Sequence, residues 1–170
     1  MLKSLAPRSL RTVVLCLSVL VCQYGVAEAA ARVALLIGNE KYEATSQLNN
    51  PANDVELMKT AFEEAGFDSV TTVHDLTRGA MVRALRDFED MATGADVAII
   101  YYSGHGMEMN GENYLLPVDV TLKSDKDVED EAVPLDRVQR SLEGAKRLKL
   151  VILDACRNNP FEQSMTRSIS

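Results

Sequence analysis

The chain has 170 residues, 46% of them hydrophobic, with a formal net charge of -7 and a pI near 4.9. That length suffices for one domain with a substantial core. The acidic balance argues against nucleic acid as the main partner, and it reads first as solubility, with attraction of basic peptides as the alternative.

The first segment in chain order is an address label. Lys3, Arg8 and Arg11 precede an apolar run from Thr12 to Cys22 that is too short to span a bilayer comfortably. Ala27-Glu28-Ala29 then offers small residues at the two positions a signal peptidase reads. Residues 1–29 are therefore expected to be a secretory signal peptide, and 30–170 the exported domain, periplasmic or extracellular, with no stable membrane span after cleavage. An uncleaved anchor is the alternative. Val21 is the wrong residue before Cys22 for lipid processing. Cys16 and Cys22 leave with the leader, so the mature chain keeps Cys156 as its one thiol: a free reactive group or half of an intermolecular bridge. No Cys/His cluster has zinc-ligand spacing.

Arg32 to Asn39 reads as a buried strand entering a Gly-Asn turn, and Tyr42 to Asn50 as a polar loop. Pro51 can open a helix with Asn53 or Asp54 in its first turn, carried by Val55, Leu57, Met58, Ala61, Phe62 and Ala65 and stopped by Gly66. Ser69 to His74 is a second strand. Thr77 caps a helix whose stripe is Met81, Val82, Leu85, Phe88 and Met91, and Gly94 stops it. Asp96 to Tyr102 is a third strand, and Asn110-Gly111 predicts a hairpin within Met107 to Leu116. Pro117 to Glu131 is polar and acidic and reads as a surface loop. Leu135, Val138 and Leu142 mark a short helix ending at Gly144, Lys149 to Asp154 is a fourth strand, and Arg157 to Ser170 is polar with little pattern. Alternating strands and helices predict an α/β fold, a three-layer sandwich around a mainly parallel central sheet.

Two apolar runs, Val97-Ala98-Ile99-Ile100 and Leu150-Val151-Ile152-Leu153, each read as a buried strand ending in a reactive side chain. The first leads to Tyr101-Tyr102-Ser103-Gly104-His105-Gly106, the second to Asp154-Ala155-Cys156-Arg157. Right-handed crossovers bring strand carboxyl ends to one edge, where open sheets hold their ligands. A histidine beside a cysteine lowers the thiol pKa and returns a proton to the leaving group. The N–H groups of Gly106 and Cys156 are the candidate oxyanion donors.

These blocks resemble the caspase-like cysteine peptidases, and within them bacterial metacaspase relatives. The about fifty residues between His105 and Cys156 suit the family. Three further stretches fit: Val33 to Asn39, Leu48-Asn49-Asn50-Pro51-Ala52-Asn53-Asp54 and Asn113-Tyr114-Leu115-Leu116-Pro117-Val118-Asp119. The similarity runs from about residue 31 to 162. It implies His105 as general base and acid and Cys156 as nucleophile, acting on a peptide or protein substrate.

Asp154 stands where the true caspases carry the Gln of their Gln-Ala-Cys motif. In metacaspases an acidic residue there helps form a pocket for Arg or Lys, and Asp54 and Ser103 match other pocket positions. The resemblance thus implies cleavage after Arg or Lys. Taken alone, Asp54 is nearly as well read as a helix N-terminal charge. Several metacaspases need calcium, and Asp119, Asp125, Asp127, Glu129, Asp130 and Glu131 crowd one loop. Their spacing fits no EF-hand, a solvated acidic loop is the preferred reading, and no metal or other cofactor is assigned.

The family's domain continues past the Cys strand with further strands and a helix. The expectation here is a large-subunit region lacking those C-terminal strands, with an apolar sheet edge open to pairing with a small-subunit region. A catalytically inactive caspase-like binding module is the second reading. A small-molecule α/β binder using the Gly38 and Gly104 turns ranks third, without a Gly-rich phosphate fingerprint.

Overall fold

A computed structural model describes residues 30–155 together with Pro160 and Phe161. The chain forms β1 (Arg32–Gly38), α1 (Pro51–Glu64), β2 (Ser69–His74), α2 (Arg78–Ala92), β3 (Val97–Ser103), β4 (Gly106–Met109) and β5 (Glu112–Leu115). A 3₁₀ turn (Asp125–Asp127), α3 (Val128–Glu131), β6 (Val133–Pro134), α4 (Leu135–Arg140) and β7 (Leu148–Asp154) follow.

The helix boundaries have local causes. Pro51 opens α1, where its missing N–H costs nothing, and Gly66 leaves the helix at φ +76°, a region that suits glycine. The Thr77 side chain accepts from Ala80 N at 3.3 Å to cap α2, and Gly94 at φ +84° follows its end. Met81, Leu85, Phe88 and Ala92 recur at helical spacing, and all are buried.

Four strands form one parallel sheet in the order β2-β1-β3-β7. Side chains alternate between its faces. Ala34, Leu36, Ile99 and Tyr101 pack against Val55 and Phe62 of α1. Val33, Leu35, Ile37, Ile100 and Tyr102 pack on the other face against Met81, Leu85 and Phe88 of α2 and Val138 of α4. Helices on both faces make the predicted three layers. The chain runs from β1 outward to β2, then returns to β3 on β1's other side. That reversal makes the carboxyl ends of β1 and β3 a topological switch point, the place where open α/β sheets hold their ligands.

The Asn110-Gly111 turn forms as expected, with Asn110 at φ +54° and Gly111 at φ +83°. β4, β5 and β6 make a small antiparallel sheet, in which β6 had no sequence signal.

Two expectations need correction. Pro117 to Glu131 is no simple surface loop. Val118, Val120, Leu122 and Val128 are buried, and Val120, Leu122 and Val128 join a cluster with Tyr42, Met107, Tyr114, Leu116 and Phe161. The alternating valines and leucine turn inward, while Asp119, Asp125 and Asp127 between them are only half-buried. Asp127 Oδ2 accepts from Ser124 N at 2.8 Å and Lys123 N at 2.9 Å, which starts the 3₁₀ turn and holds the Asp127 carboxyl below its usual range. The second correction concerns Leu150 to Leu153. Among the described residues β7 pairs with β3 alone, and Leu148, Leu150 and Leu153 are 45%, 39% and 41% exposed. The run is apolar because of both faces, yet it lies at an open sheet edge. The leader expected over 1–29 lies outside the described residues.

Candidate active site

The parallel register sets four residues in one row at the carboxyl edge of the sheet. Gly38 is level with His74 on one side and Ser103 on the other, and Ser103 is level with Asp154. Gly104 N donates to the Asp154 carbonyl at 3.3 Å, so the turn after β3 stays tied to the end of β7. His105 is the next residue. The position of Gly104 requires glycine, because a Cβ there would stand 2.5 Å from the Tyr102 hydroxyl and 2.8 Å from that of Tyr42. The close approach of both phenols, rather than an unusual φ, fixes the choice.

The two phenols meet the backbone of His105. Its N–H donates to the Tyr42 hydroxyl at 2.7 Å, and its carbonyl accepts from the Tyr102 hydroxyl at 2.6 Å. The Tyr42 and His105 rings lie 4.5 Å apart, tilted by 53°. Burial pushes both phenols up, Tyr102 well above an ordinary tyrosine, so both keep their protons at neutral pH.

Among the described residues, one hydrogen-bond partner orients the His105 ring. Nε2 lies 2.8 Å from the Ser46 carbonyl oxygen. A carbonyl can only accept, so in the neutral ring Nε2 carries the proton and Nδ1 keeps its lone pair. An imidazole so held can take a proton at Nδ1.

Asn39 ties this edge together from beneath. It is fully buried; its N–H donates to the Ser103 carbonyl at 2.9 Å, its Nδ2 to the Leu116 carbonyl at 3.2 Å, and its Oδ1 accepts from Leu76 N at 2.9 Å. Asp75 then clamps the turn that follows, accepting from Glu40 N at 2.9 Å, Lys41 N at 3.0 Å and Lys41 Nζ at 2.9 Å. Burial alone would raise the Asp75 carboxyl, but these donors outweigh it and hold it below its usual range.

The three expected pocket residues gather at the same edge. Ser103 Oγ donates to Asp54 Oδ2 at 3.2 Å. Asp54 sits in the first turn of α1, which the reversal between β1 and β3 brings over Ser103. Asp154 is Ser103's register partner, and Tyr101 OH approaches its Oδ2 at 3.4 Å. Burial, and then the Asp154 charge, push Tyr101 up to about 12. Asp54 thus has a neighbour beyond its helix, and both carboxylates flank one serine.

Gly106 begins β4 level with Leu115. Leu116 N donates to the His105 carbonyl at 3.0 Å, so Gly106 and Leu115 form a non-hydrogen-bonded pair and the Gly106 N–H points away from β5. Cys156, expected as nucleophile and second oxyanion donor, lies outside the described residues. The roles of Asn39, Tyr42, Ser46, Tyr101 and Tyr102 were not read from the sequence. Tyr42 and Ser46 sit in a polar loop with no motif, and a main-chain acceptor leaves no mark in residue type.

Among the described residues, no group of three or more His, Cys, Asp or Glu side chains is placed to hold a metal ion. Two carboxylates of the acidic loop are engaged in folding: Asp119 accepts from Arg78 N at 2.8 Å, and Asp127 caps its turn. Among the described residues no helix is long and apolar enough to cross a membrane.

The architecture is an α/β sandwich with its candidate chemistry at the carboxyl edge of a parallel sheet. The family profile of the caspase domain, Peptidase C14, matches residues 31–169. The chain therefore belongs to the caspase-like peptidase family. It is 34% identical over 97 residues to mucosa-associated lymphoid tissue lymphoma translocation protein 1 homolog from Mus musculus, covering 57% of this chain and 12% of that protein. It is also 34% identical over 91 residues to mucosa-associated lymphoid tissue lymphoma translocation protein 1 from Homo sapiens, covering 54% and 11%. The chain thus spans a small part of the length of the curated relatives it matches.

Proposed function

We propose that this protein is a cysteine endopeptidase that uses a Cys156–His105 dyad to cut after Arg or Lys. The observation that carries this reading is the single-tautomer geometry of His105, its Nε2 occupied by Ser46 and its Nδ1 left to take a proton. Chain connectivity supports the pairing. Cys156 follows the Ser103 register partner Asp154 by two residues, about 7 Å of backbone at most. Ala155 packs on the main core and Phe161 on the cluster that holds Tyr42, so both ends of the segment carrying Cys156 are anchored near the histidine's own supports.

The chemistry balances with these groups. His105 Nδ1 takes the thiol proton, and the sulfur adds to the scissile carbonyl carbon. Negative charge on the carbonyl oxygen is met by the N–H groups of Gly106 and Cys156. The imidazolium gives its proton to the departing amine, leaving a thioester. Water then attacks, its proton passes to His105, and the carboxylic product leaves as the thiol re-forms. Asp54 and Asp154 flanking Ser103 favour a cationic side chain over an anionic one.

Peptide-resolved alkylation of Cys156 at neutral pH tests the dyad. The expected result is fast labelling that His105→Ala slows, and selective capture by an arginyl rather than an aspartyl chloromethylketone. Slow, His105-independent labelling supports the second reading, a catalytically inactive caspase-like module. The exposed Leu148, Leu150 and Leu153 on β7 favour that reading through partner binding, and pairing with a small-subunit region belongs to the same edge. Export through the 1–29 leader is part of the proposal, and N-terminal sequencing of secreted protein checks it.

A further inference from the structure

His105 is held by more than its ring partner. The hydroxyls of Tyr42 and Tyr102 lie 3.2 Å apart, and three candidate donors converge on the Leu116 carbonyl: Asn39 Nδ2 at 3.2 Å, Tyr42 OH at 3.1 Å and Tyr102 OH at 3.0 Å. Each phenol has one proton, and a carbonyl oxygen has two lone pairs. The arrangement that follows the shortest contact gives each phenol proton its own acceptor. Tyr102 gives its proton to the His105 carbonyl, where the contact is shortest, and that oxygen also accepts from Leu116 N. The Leu116 carbonyl then takes Asn39 Nδ2 and the Tyr42 hydroxyl. The Tyr42 oxygen accepts the His105 N–H. Each phenol proton and the His105 N–H then has an acceptor, and Tyr42 and Tyr102 are almost fully buried.

We infer that Tyr42 and Tyr102 are positioning residues for His105: one buried phenol grips its N–H, the other its carbonyl, and together they aim the imidazole at the Ser46 carbonyl. This deepens the peptidase reading and rests on it for its catalytic meaning. The clamp acts on the main chain of residue 105, so it sets where the ring starts. Tyr42 adds its own ring against the imidazole face and belongs to the same loop as Ser46. Losing the Tyr42 hydroxyl leaves the buried His105 N–H unpaired, and losing that of Tyr102 leaves the His105 carbonyl with the Leu116 N–H alone; either loosens the grip and frees the ring to leave Ser46. The neutral imidazole then exchanges between its two tautomers.

Imidazole ¹⁵N spectroscopy reads this directly. The chain has two histidines, so His74→Gln assigns both signals. In the parent protein His105 is expected as the Nε2–H tautomer. Tyr42→Phe and Tyr102→Phe keep the rings and remove the hydroxyls. Gly104→Ala keeps the hydroxyls and drives a Cβ between them. Each is expected to give a tautomer-averaged signal. Each is also expected to slow Cys156 alkylation at pH 7 about tenfold, the equilibrium equivalent of one lost buried hydrogen bond.

Folded variants with the parent tautomer and the parent alkylation rate overturn the inference. Loss of the fold in all three also overturns it, in favour of a purely structural role. If His105→Ala leaves alkylation unchanged, the peptidase reading fails, and the spectra still decide the clamp. If His105→Ala slows alkylation while the tautomer ignores both Phe variants, the clamp alone fails.

Discussion

The Nε2 atom of His105 lies 2.8 Å from the carbonyl oxygen of Ser46, 59 residues earlier in the chain. The acceptor belongs to the backbone, so any residue that keeps the local conformation supplies it. Ser46→Ala is therefore expected to leave Cys156 alkylation within about twofold of the parent, since a side chain outside the contact is worth little. Peptide-resolved mass spectrometry checks this, and a tenfold loss would mean the serine side chain does the work.

Asp54 and Asp154 flank Ser103, and under the proposed specificity removing either charge weakens the hold on a cationic side chain. Asp154→Asn and Asp54→Asn are each expected to lower kcat/KM on arginyl peptides by about tenfold or more, the worth of one hydrogen bond to a charged group. A neutral citrulline analogue should lose far less. Equal losses on both substrates would assign these residues to folding.

Gly38 meets the start of α1 at close range. An added Cβ would stand 2.9 Å from Val55 Cγ2 and 3.0 Å from the Pro51 carbonyl. Gly38→Ala is expected to cost about 1–3 kcal/mol as overpacking, read as a lower urea midpoint at unchanged m-value.

The titrating groups act in opposite pH ranges. Asp75 is held below its usual range in the fold, so its contribution is full above the unfolded value near 3.8 and is lost as pH falls through the folded one. Tyr101 and Tyr102 are raised, so theirs is full below about 10 and is lost as pH rises, through about 12 for Tyr101. Asp75→Asn should flatten the acid limb of the stability profile, and Tyr101→Phe the alkaline limb. Urea titrations from pH 3 to 11 measure both limbs, and unchanged slopes in the variants would refute the assignment.

The β7 edge carries Leu150 at 39% exposure, and among the described residues no strand pairs with that side. Such an edge invites strand pairing. Self-association that rises with concentration is expected by sedimentation, and Leu150→Lys should reduce it while leaving the melting temperature within a few degrees, since surface changes cost about 0.5 kcal/mol or less.

Sequence alone determined the order of strands and helices, the three layers, the Asn110-Gly111 hairpin and the delivery of His105 to a strand's carboxyl end. These follow from local causes: apolar period, caps and turn residues that act within a few positions. The pocket candidates Asp54, Ser103 and Asp154 came from the family resemblance; strand register sets Asp154 level with Ser103, and the first turn of α1 carries Asp54 to it. Tertiary structure decided what depends on distant segments meeting. The grip of Tyr42 and Tyr102 on the His105 backbone, the Ser46 carbonyl at its ring and the burial of Val120 and Leu122 were invisible beforehand. A phenol's partner and a carbonyl's role are properties of three-dimensional neighbours, and an apolar run reads the same at a sheet's centre as at its open edge.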